Sequence, residues 1–328
     1  MTNVAAPEVE LVRAVRNGVT ESVHRGHVVL AGIDGSVLAA LGDPRRSTYV
    51  RSAVKPFQAL AVLDLLASGG VDLDDHGLAI ACASHDGTDD QQIEAARLLA
   101  EASLDEEALQ CPAALPRDAD TAWTQRWPYP LAHNCSGKHA AFLYATVVVG
   151  ADPAGYLSLG NPLQRRIRER LAASSSEEPT GPGVDGCGAP AWLLPLAGLA
   201  TAFARLAAGS SPELERVRNA MTKHPELIGG AASVDTALMK ADADVVAKRG
   251  AEAVFAAGLS RGADSIGIAV KIIDGGARAD GPVAASVLSA LGGTTPDAVR
   301  RPDILGGGRV QGALEVSDEV TALAARAG

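Results

Sequence analysis

LVRAVRNGVTESVHRGHVVLAGIDGSVLAALGD, from Leu11 to Asp43, is a series of short β-prone runs broken at Asn17-Gly18 and Asp34-Gly35. Asn-Gly and Asp-Gly tolerate the positive φ angles of tight hairpin turns, so the stretch reads as antiparallel strands. Then the period changes. Ala53 to Ala67, AVKPFQALAVLDLLA, is apolar at helical spacing and stops at Gly69-Gly70, with Ser52 placed as an N-cap. HGLAIACA (His76 to Ala83) fits a buried strand or a short buried helix, and it empties into the polar loop SHDG. Farther on, SPELERVRNAMTKHPELIGG starts with a serine cap and reads as a helix. SIGIAVKIIDGG reads as a strand and GARADGPVAASVLSALGG as a closing helix. Strands, helices, then more strands and helices follow without the steady βαβ alternation of a parallel sheet. The order predicts an α/β sandwich with a largely antiparallel sheet flanked by helices.

The 328 residues suffice for one domain over 1–328, with room for two closely packed subregions. Ala172 to Gly183, AASSSEEPTGPG, is a loop on composition, but not a linker, because the cysteine motifs on either side need to meet. Aromatics make up 3% of the chain, so the core is built from Ala, Val, Leu and Ile. The net charge of −10 argues against a partner as anionic as nucleic acid. QRRIRER (Gln164 to Arg170), the densest basic run, reads as a solvated helix face. Gly186 to Ala204 is uncharged and about as long as a membrane span. Pro190 and Pro195 make it a loop leading into a buried helix instead, so no membrane partner is expected. No apolar h-region follows the start, and a cytoplasmic location with reduced thiols is the expectation.

Three motifs bear chemistry. RSAVKPFQ holds Ser52-x-x-Lys55, one helical turn apart. A serine hydroxyl attacks only when a neighbour takes its proton, and a partly desolvated lysine does that. The same residues also suit a cap and a surface lysine. Ser84 and His85 sit in a glycine-containing loop, and Lys271, after the apolar run GIAV, is a lysine that needs a partner if buried. HNCSGKH (His133 to His139) and VDGCGAP (Val184 to Pro190) place Cys135, Lys138 and Cys187 among small residues. Cys135, Cys187, His133, His139 and Lys138 are the possible metal ligands, the lysine only when neutral. On spacing alone, two free cysteines in glycine-rich turns are the slightly preferred reading. Asp185 is a turn former, an orienting group, or a partner for a substrate ammonium.

Taken together, TESVHRG, RSAVKPFQ, SHDG, NCSGKH, DGCGAP and KIIDGG occur in an order and at spacings that resemble the Rhizobium etli-type L-asparaginases, from about Glu10 to about Gly276. The resemblance implies a fold similar to serine β-lactamases, penicillin-binding proteins and glutaminases. It implies a homodimer that hydrolyses L-asparagine to L-aspartate and ammonia. Matched position by position, it makes Ser52 the nucleophile, Lys55 its base, and Ser84 with Lys271 a second Ser–Lys pair. Cys135, Lys138 and Cys187 become zinc ligands, the metal supporting substrate binding rather than generating the nucleophile. Arg51 and Asp185 are expected at the substrate's charged ends, with His85 beside them. Two segments, IGGAASVDTALMK (Ile228 to Lys240) and AEAVFAAGLSRGADS (Ala251 to Ser265), depart from the family pattern. The competing readings are a glutaminase or other Ser–Lys amidohydrolase, a catalytically silent amino-acid or metal sensor, and a structural zinc protein.

Overall fold

The computed structural model describes residues 7–327, so the first six residues of the stretch read for a leader lie outside it. The opening run forms β1 (Val9–Arg16), β2 (Val19–Gly32) and β3 (Val37–Leu41). Asn17 and Gly18 take φ of +47° and +77° at the first hairpin, the conformation their residue types allow. Next come β4 (Ser47–Tyr49), β5 (Thr180–Val184), β6 (Pro190–Pro195), β7 (Val245–Arg249), β8 (Val254–Leu259), β9 (Ile266–Ile272), β10 (Asp303–Gly306) and β11 (Arg309–Val316). The main sheet runs β10-β11-β1-β2-β9-β8-β7, with β3 on β2, and β4-β6-β5 form a second, smaller sheet. All of these pairings are antiparallel. The outer partners are distant in sequence: Val12 of β1 faces Val316 of β11.

The helices are α1 (Lys55–Ser68), α2 (Asp75–Ala81), α3 (Asp89–Glu101), α4 (Ala119–Thr124), α5 (Ser136–Val148), α6 (Pro162–Ser175), α7 (Leu196–Ala208), α8 (Pro212–Lys223), α9 (Pro225–Gly229), α10 (Val234–Ala241) and α11 (Ala277–Ala290), followed by two short C-terminal ones. Every residue of β8 is buried, so both faces of the sheet are covered. Helix α7 packs on β2, β8 and β9, and α11 packs on β8 and β9 from the other side. Contact with α7 is close because Gly267 has no side chain: a methyl group there would lie 1.8 Å from the Ala200 carbonyl oxygen. A further body of α1, α5, α6 and α8 sits beyond α7. The molecule is thus an α/β sandwich around an antiparallel sheet. Among the described residues no helix is long and apolar enough to cross a membrane.

One local reading left open is settled and three change. HGLAIACA is a helix, because the Asp74 carboxylate caps it by accepting the Gly77 N–H at 2.7 Å. The loop read before the buried helix contains β6, paired to β4 on one side and to β5, the end of AASSSEEPTGPG, on the other. Ser52 is not the N-cap of α1. It lies within a 3₁₀ turn, Arg51–Val54, that runs straight into the helix, and its carbonyl rather than its hydroxyl accepts the Lys55 N–H. The basic run on α6 is only partly solvated, since Arg166 and Arg170 both pair with Asp64 of α1.

Candidate active site

The 3₁₀ turn and the start of α1, the loop after α2, the start of α5, the β5–β6 connection and the end of β7 converge on one small region. Lys55 is at its centre and is 1% exposed. Its Nζ donates to the Ala83 carbonyl, to Ser84 Oγ at 3.0 Å and to Cys135 Sγ at 3.2 Å. Burial pulls the Lys55 ammonium below the usual lysine range, with the Cys135 sulfur opposing. The hydrogen-bonded Ser–Lys pair of the structure is therefore Ser84 with Lys55. Ser84 is itself buried, its N–H anchored on the Ile228 carbonyl at 2.8 Å.

Ser52 occupies a different place. It lies on the wall of a narrow pocket lined by Arg51, Ser52, Lys55, Gln58, Asp185 and Trp192. As described it encloses only about 10 Å³, room for about one water, so a ligand enters only if the lining side chains part. Ser52 and Lys55 share this wall without a direct hydrogen bond. Arg51 spans to Asp185 through two guanidinium contacts, of 2.9 and 3.2 Å. Burial works against the Asp185 charge, but Arg51 outweighs it and holds the carboxyl below its usual range. Arg51 takes φ of +47°, unfavourable for a residue with a Cβ, and the paired contacts to Asp185 help hold it there. More open hollows occur elsewhere. One beside Ser286 and Ser289 is lined by Arg300 and Arg301, already paired with Asp297 and Glu315, and contains no lysine, histidine or cysteine.

Two expected placements do not hold. Lys271 is only half-buried on β9 and its Nζ bonds the Glu252 carbonyl, not Ser84. His85 is fully buried, its Nδ1 accepting the Gly87 N–H and its Nε2 facing Ser136 Oγ at 2.9 Å, so neither ring nitrogen is free for a ligand. Burial lowers its pKa to about 3 and keeps the ring neutral.

Another buried lysine near Lys55 is Lys248, at the end of β7 and 0% exposed. It pairs with the equally buried Asp235 of α10 at 3.4 Å, and its Nζ also donates to the Arg249 carbonyl. Arg249 reaches back to the Ser84 carbonyl and to Asp86. Burial, partly offset by Asp235, brings Lys248 down to about 7. A lysine closing an apolar run is as plain in VVAK (Val245 to Lys248) as in GIAVK (Gly267 to Lys271), so Lys248 had a legible signal. Asp235→Ala leaves a buried charge unpaired whenever Lys248 is protonated in the folded protein. The variant is expected to lose about 3–5 kcal/mol of stability. Asp235 holds the Lys248 pKa up against burial, so without it Lys248 sheds its proton below about pH 7. The loss should shrink at alkaline pH, where Lys248 is neutral with or without its partner. Urea unfolding at about pH 6 and about pH 9 checks this, and an equal loss at both would contradict it.

Cys135, Lys138 and Cys187 are brought together and buried, with Lys138 Nζ donating to Cys187 Sγ at 3.1 Å. The Cys187 thiol, followed by the charges of Lys55 and Lys138, holds Cys135 well below the ordinary thiol range against the opposing effect of burial. Beside them His139 is fully buried, with Nδ1 on the Tyr156 hydroxyl at 2.6 Å and Nε2 without a hydrogen-bond partner among the described residues. Among the described residues no three His, Cys, Asp or Glu side chains are grouped to hold a metal, so a site here depends on Lys138. The donor set of two sulfurs and an amine fits zinc once Lys138 gives up its proton, which a bound cation favours. As described, the Lys138 ammonium supplies the neutralising charge.

A family model described as L-asparaginase II matches residues 12–316, farther toward the C-terminus than the motifs alone reach. The chain matches none of the curated proteins. Similar solved structures include native Mglu, at 16% identity and a TM-score of 0.42, covering 78% of this chain and 61% of that one. The glutamate form of Mglu gives 15% identity and a TM-score of 0.43, covering 78% and 58%. A β-lactamase from Mycobacterium bovis (Mb2281c) gives 15% identity and 0.45, covering 76% and 87%. The chain therefore spans about three fifths of the length of the Mglu chain.

Proposed function

Because this chain belongs to the L-asparaginase II family, we propose that it is an amidohydrolase that converts L-asparagine to L-aspartate and ammonia through a serine acyl-enzyme. One observation carries the reading: a buried lysine amine, bonded to the Ser84 hydroxyl, lies behind a pocket serine, Ser52, beside a matched cation and carboxylate. Ser52 Oγ forms a bond to the side-chain amide carbon while its proton passes to Lys55. The C–N bond then breaks, and the nitrogen leaves as ammonia with a proton delivered through Lys55 and Ser84. Water adds to the aspartyl ester, freeing aspartate and restoring the hydroxyl. Arg51 receives the α-carboxylate and Asp185 the α-ammonium, each exchanging its present partner for the substrate.

Cys135, Lys138 and Cys187 would hold zinc, which when bound supplies positive charge beside the substrate site. Zinc measured in the purified protein is expected to disappear in Cys187→Ser. Equal content in both would remove these ligands.

The function is tested by ammonia release from L-asparagine and L-glutamine, and by ring opening of a β-lactam, which frees no ammonia and is followed by the lactam's absorbance. Faster release from asparagine is expected. Faster release from glutamine moves the assignment to a glutaminase, and amino-acid binding without turnover moves it to a sensor.

A further inference from the structure

Two buried polar atoms of this pocket have no hydrogen-bond partner among the described residues: Gln58 Oε1 and Trp192 Nε1. Their residues are 5% and 6% exposed, so solvent does little to satisfy them. Leaving a buried donor or acceptor unpaired is costly, and such atoms call for an explanation.

Gln58 stands one helical turn beyond Lys55 on α1, on the wall that carries Ser52. Trp192 is on β6, and its carbonyl accepts the Val50 N–H at 3.2 Å, which ties that strand to the residue preceding the Arg51–Val54 turn. The charged groups of the pocket are engaged. Arg51 and Asp185 hold each other, Lys55 holds Ala83, Ser84 and Cys135, and Lys138 holds Cys187. Besides the Ser52 hydroxyl and the Gln58 amide N–H groups, the pocket walls carry one buried acceptor and one buried N–H donor without partners. A primary carboxamide presents the complement, an N–H to give and an oxygen to receive.

We propose that Gln58 and Trp192 determine specificity for a primary carboxamide, Gln58 Oε1 accepting from the substrate's amide nitrogen and Trp192 Nε1 donating to a substrate oxygen. This rests on the amide-hydrolysis reading above. It goes beyond it in assigning the choice of amide over ester or acid to residues that do no bond-breaking. A carboxylate product has no N–H for Gln58, so the same contact weakens product binding.

The test compares kcat/KM for L-asparagine and for L-aspartate β-methyl ester, which passes through the same acyl-enzyme without an amide N–H. In Gln58→Met, which keeps the volume and loses the acceptor, asparagine turnover is expected to fall about 10- to 100-fold. Ester turnover should change less than about threefold, within the range of a lost packing detail. Trp192→Phe should lower both substrates by similar factors, since both carry the oxygen. Gln58→Glu keeps an acceptor and should retain the amide-over-ester ratio, which separates recognition from a folding defect. An equal fall on amide and ester in Gln58→Met, or unchanged asparagine turnover, overturns the inference while leaving the hydrolase reading in place. An intact protein that turns over neither substrate removes both.

Discussion

Ser52→Ala is expected to lower ammonia release from L-asparagine by at least about 10⁴-fold, with binding of the amino acid retained. The size follows from the role. Without the hydroxyl no acyl-enzyme forms, and the polar surroundings alone cannot divide the reaction into two easier steps. Ser52 is partly exposed, outside the apolar core, so the alanine protein should fold as well as the parent. The informative companion is mass spectrometry of the intact protein quenched during turnover, where an aspartyl ester is expected on the peptide carrying Ser52 and absent from the variant. Ammonia release that survives in Ser52→Ala would pass the nucleophile to Ser84, the serine that Lys55 touches directly.

Lys55 carries the second large effect. Lys55→Met replaces a fully buried amine by an apolar chain of similar length, and the loss of proton transfer is expected to cost about 10²–10⁴-fold in kcat. A fall of this kind could also reflect lost positive charge, so Lys55→Arg is the control. A guanidinium keeps the charge but cannot be deprotonated in a protein. If Lys55 acts as a base, Lys55→Arg is as inactive as Lys55→Met. An arginine variant within about tenfold of the parent would make Lys55 an electrostatic group and leave the base to be found elsewhere.

How far the sequence could be read depended on whether the signal was local. Hairpin dipeptides such as Asn17-Gly18 act through their own φ angles, so the opening strands were legible residue by residue. The serine cap of α8 was legible for the same reason, since Ser211 Oγ does accept from Leu214 N–H. β6 was not. Its apolar run WLL has no alternation, and what makes it a strand is pairing with β4, more than a hundred residues earlier. At the site, Ser52 and Lys55 are joined by a single turn of backbone, and Arg51 and Asp185 follow from charge. Lys248 and Lys271 both end apolar runs, on strands β7 and β9 that flank β8. Only the tertiary packing of α10 supplies the Asp235 carboxylate that lets Lys248 be buried, while Lys271 reaches a carbonyl near solvent. His85 shows the converse: a polar loop residue whose neighbours in the fold satisfy it completely.

The pairing of β1 with β11 gives the molecule a history during synthesis. By the time Arg249 leaves the ribosome, every side chain assigned to the pocket has been made, yet β9 and β11, the partners of β2 and β1, have not. At ordinary translation rates, completing the chain from its first strands takes roughly tens of seconds. Through that interval β1 and β2 expose unpaired backbone along their edges, a template for other nascent chains. A ribosome that stalls after α11 would thus release a protein with a complete set of reactive side chains and an open sheet. Clearing such products falls to the chaperones and proteases that meet the chain first.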